Sequence, residues 1–592
     1  MQQDLKRQAS RNAMDDSIET LLKPPPAPAT ASLRCSEPQQ PRDNWGNSLE
    51  FLMSCIALSV GLGNVWRFPF TALENGGGAF LIPYLVVLLL VGKPIYYMEM
   101  LLGQFSSRGI VQVFDLAPLM RGVGYAQLLS LAVLATYYAA IMALTLRYFF
   151  DSFATLLPWS YCRDEWGSGC VSAAGQQQHH LQFGQNFSSS TQLYLQRIVL
   201  NETETLEQGI GYPSGNLSLM LALSWLTVTL IIIRGVRSSG KASYVLALFP
   251  YVVMLILLVR ALSLPGAYNG VMYFLTPQWD KLLEPVVWYN AVTQVFFSLA
   301  ICFGVIIMYS SYNRFGHNIY RDAHIVTGLD TFTSLLSGVI IFGILGKLAH
   351  ESGTKDIASV VKAGPGLAFI SYPEAIAKFK LMPQVFSLLF FLMLFLLGVG
   401  SNVGMVSCIM SVLKDRFVHT KLWLIVLCIS LLGFLVGLLY ITPGGQHIVT
   451  LLDFHGVTFV SLVAAIFELI AVGWVYVTPL VMIVILVYTL CSMRPLSYNG
   501  QVLPLPYRVF GWCLSGLITG QLLYWACYAI HQQPAGSLGM RIRQAMRPLA
   551  DWGPLEAKQL QDYQLFRAKK AASARPKDRR GLYHSFVDHI LS

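Results

Sequence analysis

The stretch Val60-Gly61-Leu62-Gly63-Asn64-Val65-Trp66-Arg67 interrupts an otherwise apolar run from 47 to 72. That run is long enough to cross roughly 30 Å of hydrocarbon as a helix. Two glycines and an asparagine near its middle weaken the helix and free backbone carbonyls. Lipid does not tolerate such carbonyls unless another group satisfies them. The sixth apolar run carries a matching fault, Phe297-Ser298-Leu299-Ala300-Ile301-Cys302-Phe303-Gly304. Unwound segments at corresponding places in two halves of a chain point to a transporter's binding site. Close helix packing through small residues is the competing explanation.

The rest of the chain supports a membrane setting. Of 592 residues, 54% are hydrophobic and 12% charged, and the mean hydropathy is +0.53. Soluble domains carry about a quarter charged residues. Half that density excludes a disordered protein, a nucleic-acid binder with a basic groove and most cytosolic enzymes, despite a net charge of +10. Ten cysteines are too few for a disulfide scaffold. Apolar runs recur near 47–72, 79–102, 124–150, 217–235, 242–264, 287–312, 323–349, 383–412, 421–441, 447–470, 474–491 and 507–530. These make an all-α polytopic membrane protein with twelve candidate transmembrane helices (spans 1 to 12), since continuous apolar runs are not the alternating pattern of barrel strands.

An even number of spans leaves both tails on one side, and charge chooses the side. The loops at Arg234, Arg237 and Lys241 and at Lys414, Arg416 and Lys421 are short and basic. The tail from 531 to 592 holds eleven Lys or Arg, so these segments and the polar tail 1–45 are expected in the cytoplasm. That N-terminal tail has no apolar signal-peptide core and the composition of a disordered segment. The C-terminal tail, basic from Arg575 to Arg580, suits anionic lipid. The core is expected over 46–530. Within it, 151–216 has only Arg163 and Arg197, and so lies outside. It carries glycosylation sequons at Asn186, Asn201 and Asn216, three that agree with one another. Cys162 and Cys170 in this loop suit a disulfide in an oxidising compartment, with two free thiols as the alternative. The pair His179-His180 reads as solvated.

Further motifs carry a resemblance. The run from Asn44-Trp45-Gly46 through Val60 to Pro69 and on through Glu74-Asn75-Gly76-Gly77-Gly78-Ala79-Phe80 resembles the neurotransmitter:sodium symporter family. So do Ser239-Gly240-Lys241, Gln294 to Ser298, Gly364 to Phe369 and Thr442-Pro443-Gly444-Gly445, in order across roughly residues 42 to 530. Within the family the chain is most similar to the insect nutrient amino-acid transporters. The resemblance implies a 5+5 inverted repeat with interrupted helices 1 and 6. It implies a first sodium site from the Ser59 carbonyl, the Asn64 and Ser298 side chains and the substrate's carboxylate. A second would use the carbonyls of Ala57, Val60 and Leu397 with the Ser401 hydroxyl. Tyr138 matches the tyrosine that reaches the substrate carboxylate. Where monoamine carriers of the family place an Asp, this chain has Gly61, which leaves room for a carboxylate and implies an amino-acid substrate. Leu134, Phe297, Ala300, Phe303 and Met405 would line the side-chain pocket, with Ser401 shared with the second sodium site. None is charged, and a charged substrate group would be costly to bury there, so the expected substrate is a neutral amino acid. Arg67 with Asp453 and Arg42 with Asp415 match the outer and inner gates, exposed pairs weak enough to open.

Three departures from the family pattern matter. Asp330 stands where many members have Asn, between the first sodium site and a chloride site implied at Tyr84, Gln294, Ser298 and Ser334. A carboxylate there would strengthen cation binding and repel chloride, so weak chloride dependence is expected; a protonated Asp330 is the alternative. Gly400 replaces an Asp or Thr beside Ser401, removing a sodium-ligating side chain. Finally, the cytoplasmic loop that usually joins spans 10 and 11 is absent: the 36 residues from Gly456 to Cys491 carry one charge, Glu468. One helix of that length would measure about 54 Å, too long for the hydrocarbon. Two short spans with a tight turn around Gly473 are expected; a single tilted span would move the basic tail outside.

The expected function is sodium-coupled import of neutral amino acids across the plasma membrane by alternating access. A transport-incompetent accessory variant, suggested by the missing loop, competes with it. A membrane enzyme has less support, because no His, Glu or Asp cluster within the spans has metal-ligand spacing and no catalytic nucleophile motif is present.

Overall fold

The computed structural model describes residues 44–167, 169–173, 188–202, 209–351, 353, 369–379, 382–473, 477–491, 495–498, 501–534, 536–549 and 551–573. They fall into a large unit, 44–552, and a second unit whose described part, 553–573, contains the helix Ala557–Ser573. The tail 1–43, Asn186, Arg42, His179-His180 and the tail beyond 573 lie outside the described residues.

Among the described residues, nine helices are long and apolar enough to cross a membrane: Gly78–Ser106, Pro118–Asp151, Gly215–Ile232, Val236–Leu262, Ile319–Glu351, Pro383–Arg416, Leu422–Ile441, Gly445–Val472 and Leu505–His531. They occupy spans 2, 3, 4, 5, 7, 8, 9, 10 and 12. The three remaining expected spans are the irregular ones. Span 1 is two helical pieces, Ser48–Ser59 and Gly63–Glu74, bent by 41° at the break. Span 6 is Pro285–Leu299 followed by Val305–Ser310. Span 11 is the shorter helix Val477–Cys491.

Both breaks fall where the sequence places them. Span 1 starts on Asn47, whose side chain accepts the Glu50 N–H at 2.8 Å while the Glu50 carboxylate accepts the Gly46 N–H at 3.0 Å, a reciprocal cap. Its first piece ends at Val60 (ψ 87°), outside helical space. In span 6 the backbone turns left-handed at Ala300, Cys302 and Gly304 (φ 52°, 63° and 75°). Two of these are not glycine, so surrounding contacts must hold them in a conformation that L-residues rarely adopt.

Span 7 lies at the centre of the bundle, most of its length buried, and span 12 at its edge, mostly exposed. Spans 3 and 8 run along each other, and spans 5, 7 and 8 close around span 1. Two short two-stranded ladders decorate the loops: Cys170–Val171 with Ser188–Ser189, and Ser497–Tyr498 with Gln501–Val502.

The long apolar stretch at 456–491 folds as two spans. Span 10 stops at Val472, and Gly473 takes the left-handed C-terminal position (φ 75°) that glycine fills most readily. Span 11 then returns against span 10. At the other end of the chain, after span 12, the segment to Trp552 docks on the connection between spans 2 and 3. There Arg108 donates to the Asp551 carbonyl, the Leu549 N–H to Asp115 (3.1 Å) and the Trp552 indole to Val113 (3.0 Å).

Candidate functional site

The break in span 1 is held by Asn64, which is fully buried. Its amide nitrogen lies 2.9 Å from the Ser298 hydroxyl, 2.7 Å from Asp330 Oδ1 and 3.0 Å from the Ser334 hydroxyl. Its carbonyl oxygen accepts the Gly61 N–H at 3.0 Å. One side chain therefore ties the unwound backbone of span 1 to the end of the first piece of span 6 and to the middle of span 7. Ser298 also donates to Asp330 Oδ1, at 2.7 Å. Asn64, Ser298, Asp330 and Ser334, which the family resemblance implies as neighbours, thus meet in one cluster.

That cluster is not saturated. Asp330 Oδ2 and both polar atoms of the Gln294 amide are buried without a partner, and the buried Tyr84 hydroxyl lies against Ser334 and Thr331. Unsatisfied buried groups of this kind call for an occupant. The Tyr84 and Gln294 donors suit an anion, whereas the free Asp330 oxygen suits a cation.

Gly61 supplies the second feature. A Cβ built there would stand 2.5 Å from the Ser401 hydroxyl oxygen and 3.2 Å from the Tyr138 hydroxyl. Tyr138 accepts the Leu62 N–H at 3.2 Å, and Ser401 donates to the Leu58 carbonyl at 3.0 Å. Spans 3 and 8 thus point their hydroxyls at the bare backbone of span 1. Gly400 lets span 8 approach: a Cβ there would lie 2.6 Å from the Ala57 carbonyl oxygen. The missing ligating side chain and the close contact have one cause. Ala57, Val60 and Leu397 are all buried at this junction. The Ser401 hydroxyl sits on Leu58, a carbonyl that the sequence reading omits, and Ser59 is buried nearby.

The apolar residues fall beside these hydroxyls. Leu134 precedes Tyr138 by four positions and Met405 follows Ser401 by four, which puts each on the same face as its hydroxyl neighbour. Phe297 and Phe303, on either side of the span 6 break with Ala300 between them, lie 5.8 Å apart between ring centroids.

The sodium:neurotransmitter symporter family matches residues 42–478 of this chain. The chain belongs to that family. Among curated symporters of similar sequence, "Sodium-dependent nutrient amino acid transporter 1" of Drosophila persimilis is 48% identical, covering 93% of this chain and 92% of that protein. The protein of the same name from Drosophila mojavensis is 48% identical over 90% and 89%. That from Drosophila melanogaster is 46% identical over 92% of both.

Arg67 and Asp453, expected from the sequence as an outer gate, form no ion pair among the described residues. The Arg67 guanidinium stands over the Phe297 ring at 4.2 Å, and the Asp453 carboxylate accepts the Tyr137 hydroxyl at 2.7 Å. Arg67 thus rests on a ring of the expected substrate pocket. Of the inner pair, Asp415 lies in the last turn of span 8, and its expected partner is outside the described residues.

In the loop after span 3, Cys162 and Cys170 are joined in a disulfide with Cα atoms 6.0 Å apart. Asn201 and Asn216 are exposed. Glu202, the middle residue of the second sequon, is half-buried and bonded to Tyr498; burial pushes its carboxyl up to about 7 from the ordinary 4.5. Between those values the folded loop holds a proton that the unfolded chain has released, so stability falls as pH rises through the window. Thermal melting is expected to show this loss, and Glu202→Gln to remove it. Equal pH dependence in both would rule Glu202 out.

The sequence reading misses one group. Glu99, Cys302 and Glu468 come together within the spans. Its members stand hundreds of positions apart, so no spacing pattern shows it. A lone acid in an apolar span, as at Glu99 and Glu468, is the only sequence signal.

Proposed function

We propose that this symporter couples the entry of neutral amino acids across the plasma membrane to the sodium gradient, by alternating access and with both tails in the cytoplasm. The observation that carries the reading is the bare backbone at Gly61, against which the Tyr138 and Ser401 hydroxyls are set, with apolar residues beside them. An amino acid's carboxylate suits the hydroxyls, and an uncharged side chain suits Leu134, Phe297, Phe303 and Met405. Sodium beside that carboxylate would make each ligand stabilise the other's binding. The names of the Drosophila relatives agree with both the ion and the substrate class. The accessory reading loses its ground, because Gly473 turns the chain and span 11 forms without the missing loop.

The test is uptake of labelled neutral amino acids by cells expressing the chain, with sodium replaced by choline and values normalised to surface protein. Sodium-dependent uptake is the expected result. Protein at the surface that takes up no neutral amino acid would overturn the reading.

Asp330 sets an expectation for chloride. A fixed carboxylate at the sodium cluster supplies the negative charge that chloride would otherwise bring. Most uptake is expected to persist when chloride is replaced by gluconate, and Asp330→Asn to restore a chloride requirement. Wild-type uptake that vanishes in gluconate would contradict the assignment.

A further inference from the structure

Span 12 ends at His531, and the chain then forms the short helix Leu538–Ala545. The Ser537 side chain caps that helix by accepting the Met540 N–H. The helix packs against span 12 and against Pro118–Met120 at the start of span 3. Beyond it, Leu549 and Trp552 are bonded to the connection between spans 2 and 3. Both ends of the helix are therefore held to the membrane-spanning body.

Its apolar residues form one stripe, because Leu538, Ile542 and Ala545 recur at helical spacing. The stripe meets two surroundings. Ala545 is fully buried, whereas Leu538 is 66% and Ile542 38% exposed. The bare half comes soon after span 12, on whose last turns Leu523, Tyr524 and Tyr528 are exposed as well. Arg541 and Arg543 stand on either side of the stripe, and Arg547 follows the helix. From 532 to 550 the chain has no Asp or Glu to offset these cations. The acids where the segment docks are already taken, Asp115 by Arg108 and Arg121 and Asp551 by Arg108. Neither Arg541 nor Arg547 has an acidic partner among the described ion pairs, and Arg541 Nε is buried without a hydrogen-bond partner.

An apolar stripe flanked by arginines suits a helix lying in the headgroup region, its apolar side against the acyl chains. Guanidinium groups match phosphate oxygens in shape as well as charge. We propose that the helix Leu538–Ala545 binds anionic phospholipids, with Leu538 and Ile542 in the acyl boundary and Arg541, Arg543 and Arg547 at the headgroup phosphates. The cytoplasmic placement proposed above sets this helix at the leaflet that carries such lipids. Binding by the purified chain does not depend on that placement, so the two readings fail separately.

The test titrates the purified full chain in detergent with phosphatidylserine, and separately with phosphatidylcholine, and counts bound lipid by native mass spectrometry. Phosphatidylserine should bind more tightly. Each basic residue at an anionic surface strengthens binding about fivefold. Replacing Arg541, Arg543 and Arg547 together by glutamine, itself a good helix former, should weaken phosphatidylserine binding by about tenfold or more. The same loss of three charges in the far tail, by Lys577→Gln, Arg579→Gln and Arg580→Gln, should leave that binding at the wild-type value. A wild type that does not prefer phosphatidylserine overturns the proposal. So does a helix variant that binds as wild type does, or an equal loss in the two triple variants. Where the helix variant is not recovered folded, Leu538→Ser decides: several-fold weaker phosphatidylserine binding is expected, and unchanged binding overturns the proposal.

Discussion

Asn64→Asp is expected to abolish sodium-dependent uptake while leaving protein at the surface. The Asn64 amide nitrogen lies 2.7 Å from Asp330 Oδ1, and the same amide contacts Ser298 and Ser334. A carboxylate in its place removes the donor and sets a second negative oxygen against the first. Two unit charges at 4 Å in a partly polar protein environment interact with about 4 kcal/mol, equivalent to roughly a thousandfold in an equilibrium constant. A bound sodium ion would offset that repulsion, but would then be held by two carboxylates. Transport requires the ion to leave as well as to bind, so turnover falls in either case. Uptake normalised to surface-biotinylated protein checks this, and activity comparable to wild type would show that Asn64 does not organise the cluster.

Gly61→Asp should be nearly as severe, for a different reason. The new Cβ would lie 2.5 Å from the Ser401 oxygen, so Ser401 must swing away and give up its bond to Leu58. A hydrogen bond of that kind contributes about 0.5–1.5 kcal/mol, too little to account for full loss of function. The larger effect is charge: an aspartate carboxylate would stand against the Tyr138 and Ser401 hydroxyls proposed to hold the substrate carboxylate. Uptake of neutral amino acids is expected to disappear in Gly61→Asp and to persist in part in Gly61→Ala. Equal losses in the two variants would mean that crowding at Ser401 matters and charge does not.

The parts of this molecule that were legible in its sequence are those where a local pattern carries the physics. Gly61, Gly63 and Asn64 break a span because glycine and a polar amide weaken a helix in the middle of an apolar run. Gly473 turns the chain because 36 residues with a single charge are too long for one helix in a bilayer. Asp330 stood out as a charge within a span. The expectations that needed distances were less complete. Cys302 and Glu99 are 203 positions apart, and Gln127 and Glu468 are 341 apart, so only the folded chain brings them together. That Arg67 rests on Phe297 and Asp453 takes the Tyr137 hydroxyl depends on side-chain placement. A motif names both residues without fixing their partners.

The turn at Gly473 also bears on how the chain is made. Only Gly473 to Tyr476 separate the end of span 10 from span 11, and none of the four is charged. Nothing there is long or polar enough to anchor span 10 at the headgroups while span 11 is still being synthesised. The two should leave the insertion machinery together as a hairpin. A mutation that stops span 11 from forming would then strand span 10 as well, and with it Asp453 and Glu468.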